Sequence, residues 1–472
     1  MTSLIVFNTI SMNRPIQLID DIPFFAANIP IRDDKQVAKN IWVASSADFS
    51  EKYSEIDLEG HKLFKEAPFH IDLAGVPKPG STLSAEGYQR YVLDGEQLPE
   101  MGEIFRKASQ SISSFVAFDG SFAPQDDMAD FLACWAISTY ATSVFDTVGY
   151  IWPNGERGSG KTQCLKTVMQ LSFMGQTITS GSSFASVRDE ASLGATIGFD
   201  DCENLGRMDQ AKRELLLAGN TKGSGFMHKE PGKRDGAWVT KYVDCFASRA
   251  FTSIGLPDDV LASRTILIPL VRTGDAAKTR RKPTNERDWA TPPQTIRDAI
   301  WLLVCRGLLQ IEQAKQEINK SCDLSGRDFD IFQAPLAIAR WLETSHGVND
   351  LSKRMTTVME AYHATKQRNL LPSMEYLALQ ALTELLGQKG ATHYSFKTEE
   401  IAFGIQNVCR DMDITDDELK SADVQKVGTL LGRLGFMKSK AHGTKRKWDI
   451  SQSQVLEKAK TAGLTLEPIE AA

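Results

Sequence analysis

Residues 155–162 read Gly-Glu-Arg-Gly-Ser-Gly-Lys-Thr. The spacing G-x-x-x-x-G-K-[ST] is the one a loop needs to wrap a chain of phosphates. Its glycines let consecutive backbone N–H groups turn inward around the anion. Lys161 then reaches the terminal phosphates, and Thr162 offers a hydroxyl to Mg²⁺. A helix beginning at the end of the loop points its positive end at the same charge. Gly155, Glu156, Arg157, Gly158, Ser159, Gly160, Lys161 and Thr162 are therefore the expected ATP-binding residues. The flanks agree: TVGYIW at 147–152 reads as a buried strand, and 161–175 as a helix ending at Gly175.

A loop of this kind needs an acidic partner at the end of a second hydrophobic strand. ATIGF at 195–199 runs into Asp200 and Asp201. Asp200 would hold the Mg²⁺ together with Thr162, and Asp201 would polarise the attacking water. Glu203 is an alternative for that second role, since an Asp-Asp pair is shorter than the usual Asp-Glu.

These residues must be held by a sheet. From about residue 126 strand and helix patterns alternate: a helix over 126–145, strands near 147–152, 176–180, 195–199, 245–255 and 264–270, and helices over 161–175, 183–194 and 208–220. Alternation of this sort predicts an α/β fold with a parallel sheet covered by helices. Trp135, Trp301 and Trp341 sit in apolar helical patterns and read as core. Residues 272–289, RTGDAAKTRRKPTNERDW, are polar and basic and read as a linker, and about 290–388 as helical throughout. The expected divisions are 1–120, a poorly defined α+β region; 121–275, the P-loop ATPase core; 276–390, a helical lid or linker region; 391–455, a small C-terminal domain; and 456–472, a loose tail.

The stretches GYIWPNGERGSGKT, ATIGFDDCENL, LLAGNTKGSGFMHKE and AFTSIGLPDDVLASRTILIPL together resemble the AAA+ helicase domains of plasmid, phage and integrative-element primase-helicases, relatives of the superfamily 3 and minichromosome-maintenance helicases. The resemblance spans roughly residues 125–450. It implies an arginine finger just before the last core strand, where Arg264 matches; such a guanidinium would stabilise charge on the phosphoryl group of a neighbouring subunit's nucleotide. It also implies a polar residue ending the sensor strand, here Thr252 or Ser253 in place of the usual Asn. It further implies a β-hairpin aimed into a central pore. EPGKRDG at 230–236 carries strong turn signals between two strand-like runs. His228, Lys229, Lys233 and Arg234 would then meet the backbone of one DNA strand.

Residues 398–450 hold three helical patterns followed by FMKSKAHGTKRKWDI, two short strands about a His442-Gly443 turn. Three helices and a β-wing describe a winged helix. Lys438, Lys440, Lys445, Arg446 and Lys447 concentrate positive charge on the wing, which suits duplex DNA phosphates; a winged helix used for protein contacts is the other reading.

Composition sets the outer limits. The chain has 472 residues, 42% hydrophobic and 24% charged, with a net charge of −6, so nucleic acid must meet a local basic patch rather than the whole surface. The seven cysteines are scattered and form no C-x-x-C pair, which argues against a disulfide framework or zinc site and for a reducing cytoplasm. No stretch nears the ~18 consecutive apolar residues of a membrane span, the N-terminus carries no signal-peptide pattern, and no primase signature stands out in the first 120 residues. The expectation is an ATP-hydrolysing DNA helicase or translocase of a mobile element, working in replication as a homo-oligomeric ring, a hexamer. The alternative is a regulatory or defence-associated ATPase switch that uses its C-terminal unit for partner contacts.

Overall fold

Five strands form a wholly parallel sheet in the spatial order Thr265–Pro269, Tyr150–Asn154, Arg249–Phe251, Ile197–Asp200, Gln176–Thr179. The computed structural model of the chain describes residues 10–12, 14–19, 21–32, 38–50, 52–54, 69–71, 82–179, 182–200, 202, 210–231, 238–252, 259–322, 326–369, 374–411, 423–439 and 447–461. The expected α/β fold with a parallel sheet is present, and it is consistent with a P-loop core.

Both faces of this sheet are buried at its centre, which is why Tyr150–Asn154 and Ile197–Asp200 read as largely apolar runs, whereas the edge strand Gln176–Thr179 is polar and partly exposed. Tyr150, Trp152, Phe199 and Phe251 share one face. Phe251 lies at the centre, with ring centroids 5.6 Å from Trp152 and 5.3 Å from Phe199. Ile151, Ala250, Ile266 and Ile268 point the other way, into the cluster that also holds Leu165 and Val168 of the helix Lys161–Leu171. The helix Gln125–Ser138 is buried at every position from Met128 to Ser138, as suits a largely apolar helix, and its one buried carboxylate, Asp130, pairs with Arg354 at 2.6 Å. Its Trp135 donates from Nε1 to Gly149 O at 2.8 Å, tying that helix to the residue before the first core strand.

The region before residue 120 does not make a core of its own. An antiparallel sheet of Ile16–Ile19, Ile22–Arg32, Ala38–Ser46 and Lys52–Ser54 packs its Ile16, Phe25, Ile29 and Val43 into the same cluster as the long helix Pro293–Ser321. Arg306 of that helix donates to Ala47 O at 2.7 Å and lies over the Phe49 ring. The helix Met101–Phe115, absent from the sequence reading, is amphipathic with Met101, Ile104, Phe105, Ala108, Ile112 and Phe115 buried.

The chain divides into two compact units, Met1–Ala364 and Thr365–Ala472. Helices Pro293–Ser321 and Arg327–His346 belong to the first, whereas Met374–Gln388 belongs to the second. A single helical region over 276–390 is therefore not observed. The physical reason is where the apolar faces go: Leu377, Leu379, Leu382 and Leu386 pack with Ile401, Ile405, Val427, Leu431, Trp448 and Ile450. The second unit combines helices Met374–Gln388, Thr398–Asp411, Val424–Arg433 and Gln452–Thr461 with an antiparallel sheet ordered His393–Phe396, Trp448–Ser451, Met437–Lys438. Asp423 caps Val424–Arg433 by accepting from Gln425 N at 2.7 Å, the usual role of Asp at that position. The expected middle helix near 416–420 lies outside the described residues.

Candidate functional site

The loop 155–160 leaves the strand Tyr150–Asn154 and enters the helix Lys161–Leu171 through Gly158, at φ 83°, and Gly160, at φ 91°. Side-chain-bearing residues rarely hold such angles. A Cβ at Gly160 would meet nothing within 4 Å, so the space beside it is open. The first N–H groups of a helix have no intrahelical partners, and Gly160, Lys161 and Thr162 line a cleft of ≈ 710 Å³. Lys161 Nζ donates to Gly155 O at 2.7 Å and Glu156 O at 3.0 Å, which holds the ammonium on the rim of the loop. Arg272 clasps the loop from outside: its Nε donates to Arg157 O at 2.6 Å and lies 4.0 Å from a Glu156 carboxylate oxygen. Ser159 is buried beneath the loop, its N–H donating to Glu156 O.

Asp200 reaches the cleft from the end of its strand. Thr162 Oγ1 donates to Asp200 Oδ1 at 2.9 Å, and Thr252 Oγ1 donates to the same oxygen at 2.8 Å. Topology makes this meeting possible. The strand Arg249–Phe251 lies between the loop strand and the Asp200 strand, and the residue after its last position is Thr252, buried and lining the cleft. Asp201, Glu203 and Ser253 lie outside the described residues.

The cleft carries an excess of positive charge. Arg157, Lys161, Lys166, Arg281 and Lys282 line it, against Asp200 as its one carboxylate among the described residues. Arg281, Lys282, Pro283 and Thr284 come from the segment that the sequence suggested was a linker. That expectation is corrected: 272–289 is a strap packed on the core. Lys278 Nζ donates to Val116 O at 2.9 Å and Arg281 to Ser114 O at 3.2 Å, while Gln163 bridges Phe115 O and Lys278 O. Trp289, buried, packs its ring 4.9 Å from that of Phe115. Burial pushes the Lys278 ammonium below its usual pKa. The TRRKP run was the visible signal, but nothing local says that it folds back onto 114–118.

The donor set suits Mg²⁺, a hard cation that takes oxygen ligands and keeps waters and substrate phosphates in its shell. Thr162 and Asp200 place a hydroxyl and a carboxylate side by side, and among the described residues no group of three or more His, Cys, Asp or Glu side chains forms a closed cage. Cys164, three residues after Lys161, is fully buried, which pushes its thiol up to about 12, so it is an inert core group.

Arg264 stands apart from this cleft. It precedes the strand Thr265–Pro269, whose Thr265 pairs with Tyr150 and whose Pro269 pairs with Asn154, the residue before the loop. Arg264 is thus at the opposite end of the sheet from the loop of its own chain. It is half-buried, donates to Val260 O at 2.7 Å, and forms no ion pair among the described residues.

The anticipated hairpin is present in the first unit as Gly225–Pro231 paired antiparallel with Trp238–Asp244. Lys229 is exposed, and His228 pairs with Lys241 in the register; Lys233 and Arg234 lie outside the described residues. In the second unit Lys438 is exposed with its Nζ 4.7 Å from the centroid of the Trp448 ring. Lys447 is exposed and pairs through its backbone with Ser439. Lys440, Lys445 and Arg446 lie outside the described residues.

No protein-family model and no curated protein matches the sequence. Among solved structures, the chain is similar to a JCV helicase bound to a small acetamide ligand, with 13% identity over 48% of this chain and 64% of that one and a TM-score of 0.25. It is also similar to Drosophila ORC bound to DNA, with 12% identity over 76% of this chain and 92% of that one and a TM-score of 0.19. The chain therefore spans under two thirds of the helicase chain it matches, and at these TM-scores neither superposition identifies a relative.

Proposed function

We propose that the chain is an AAA+-type ATPase that acts on DNA as a helicase or translocase, in the replication of a mobile element and in the cytoplasm, as a homo-oligomeric ring of six. The observation that carries the reading is the convergence of Thr162, Asp200 and Thr252 on one oxygen beside an open glycine loop. The loop N–H groups and Lys161 would cradle the ATP phosphates. Thr162 and Asp200 would hold Mg²⁺, which neutralises phosphate charge when bound. Asp201 would orient the attacking water. Ser253 would contribute to nucleotide binding beside Thr252. Arg264 would serve the cleft of the next subunit, which accords with its distance from the cleft of its own chain. The hairpin would grip one strand, and the second unit, read as a winged helix, would recruit duplex through Lys438, Lys440, Lys445, Arg446 and Lys447. No helix among the described residues is long and apolar enough to cross a membrane.

The test is ATP turnover with and without single- and double-stranded DNA, alongside a mass measurement in the presence of nucleotide. DNA-stimulated turnover by an oligomer is expected. Turnover indifferent to both kinds of DNA would favour a regulatory switch, and full turnover in Lys161→Ala would end the ATPase reading.

A further inference from the structure

One face of the hairpin carries a single expected phosphate contact, Lys229, among large side chains that the expected contacts leave unused. In the register Met227 faces Tyr242, Lys229 faces Thr240, and Pro231 faces Trp238. Directly opposed residues of an antiparallel pair, and residues two apart along each strand, share one side of the ribbon. Met227 is 69% exposed, Trp238 68% and Tyr242 57%. These are large values for side chains that normally seek burial. One side of the hairpin therefore presents aromatic, cation, aromatic in sequence: Tyr242 with Met227, then Lys229, then Trp238.

The base of this platform is fixed. Tyr242 Oη donates to Gly223 O at 3.1 Å, and its ring lies so close over Gly225 that a Cβ there would collide with it. Val243 is buried, and the adjoining Asp244 accepts from Arg14 at 2.9 Å and from Phe246 N at 2.9 Å. The Tyr242 ring is thus held against a braced ribbon rather than left as a free side-chain rotor.

We propose that this face, Tyr242–Lys229–Trp238, is a stacking platform for the bases of single-stranded DNA. The inference rests on the DNA-translocase reading and deepens it, because it assigns a base contact where only phosphate contacts were expected. Every base has a π-face, so aromatic side chains beside a cation bind unpaired strands without regard to sequence. Trp238 and Tyr242 are four residues apart, about 13 Å along the strand. That is far more than the ~3.4 Å rise of stacked neighbours in a duplex strand. A strand lying here would place separated bases on the two rings and its backbone over Lys229. A second copy of the chain fits less well. The face has an ammonium at its centre, which an apolar partner would have to bury without a counter-charge. Charge complementarity points the same way: residues 222–241 hold Lys222, Lys229, Lys233, Arg234 and Lys241 against Glu230 and Asp235.

The experiment compares full-length wild type with Trp238→Ala, Tyr242→Ala and Trp238→Phe. Each is titrated against labelled oligodeoxythymidylate and against an abasic strand of equal length, with DNA-stimulated ATPase followed in parallel. Trp238→Ala should weaken binding to oligodeoxythymidylate by roughly 5- to 150-fold, the loss of one stacked base. It should leave abasic binding and the salt slope unchanged, since no phosphate contact is lost, and Trp238→Phe should recover most of the affinity. Trp238 is exposed, so the melting profile checks that the fold is intact. If DNA stimulates turnover but wild type binds both strands equally and Trp238→Ala loses nothing, the platform falls and the motor reading stands. If no strand binds and DNA does not stimulate turnover, both fall. If Trp238→Ala shifts the oligomer mass while DNA affinity is unchanged, the face is a subunit contact and the platform is overturned.

Discussion

Thr162 and Thr252 donate to the same oxygen of Asp200, at 2.9 and 2.8 Å, although one lies on the helix after the glycine loop and the other follows a strand 90 residues later. Three separate elements thus fix one carboxylate. Thr252 is buried, and its hydrogen bond is charge-assisted because the acceptor is a carboxylate. Replacing it with Val keeps the shape and removes the donor. A hydrogen bond to a charged group is worth roughly 1.5–3 kcal/mol. Thr252→Val should therefore lower kcat by about 10- to 100-fold while nucleotide Kd changes little. An unchanged kcat would remove Thr252 from the site.

Arg264 sits at the far end of its strand from the glycine loop, about 17 Å along five residues. In the proposed ring, its role in turnover would be exerted on a neighbour. Arg264→Ala and Lys161→Ala should each be inactive alone, with their defects on opposite sides of one interface. Mixing them should restore partial turnover, because some interfaces would pair an intact Lys161 with an intact Arg264. A finger of this type can supply roughly 10³–10⁵ in rate, so even a minority of repaired interfaces would be visible. A mixture as inactive as its parts, with mixed oligomers shown by light scattering, would exclude a trans finger.

The strap at 278–289 brings Arg281 and Lys282 to the cleft. Both are too far in sequence from the loop to belong to its motif, and both carry charge that a triphosphate would meet. Lys282→Ala should raise the KM for ATP by about five- to tenfold with kcat nearly intact, the signature of uniform binding energy lost. Arg281→Ala should do the same and also loosen the strap, since Arg281 donates to Ser114 O. A fall in kcat with KM unchanged would place them in the chemical step instead.

Asp298 offers a pH test of the packing between the long helix and the N-terminal region. It is 5% exposed and accepts from Ser84 N at 2.8 Å, from Ser84 Oγ at 2.5 Å and from Gln294 at 2.8 Å. Burial raises its carboxyl above the usual carboxylate pKa. A raised folded value means that its contribution to stability is complete below the unfolded value of 3.8 and declines as pH climbs through the folded one. Asp298→Asn carries no such dependence. Urea unfolding of both proteins should show the wild-type advantage greatest near about pH 4 and smaller near about pH 7, by about 1.4 kcal/mol for every tenfold weakening of the acid on folding. A difference that stays constant with pH would mean that the hydrogen bonds from Ser84 and Gln294 cancel the effect of burial and the carboxyl is not raised.

What the sequence by itself determined was the chemistry whose parts are contiguous. The loop 155–162 needs its glycines, lysine and threonine within eight residues, because one turn of backbone must surround one phosphate group. Strand–loop–helix context then follows from apolar periodicity on either side. Asp200 was legible for the same reason, as the polar end of a short buried run. The hairpin was legible from its turn residues. Tertiary structure alone decided which residues meet from a distance. The choice of Thr252 as Asp200's second donor depends on a three-residue strand being inserted between two others, a pairing no local pattern records. The basic run at 278–282 looked like a solvated linker because its partners, Val116 and Ser114, are more than 160 positions away. The same holds for the helix Met374–Gln388, whose apolar face matches either neighbouring helical region and is assigned to the second unit only by what it packs on. Periodicity states that a face will be buried; only the folded chain states against what, because burial is non-directional and its partner is chosen by the packing of the whole unit.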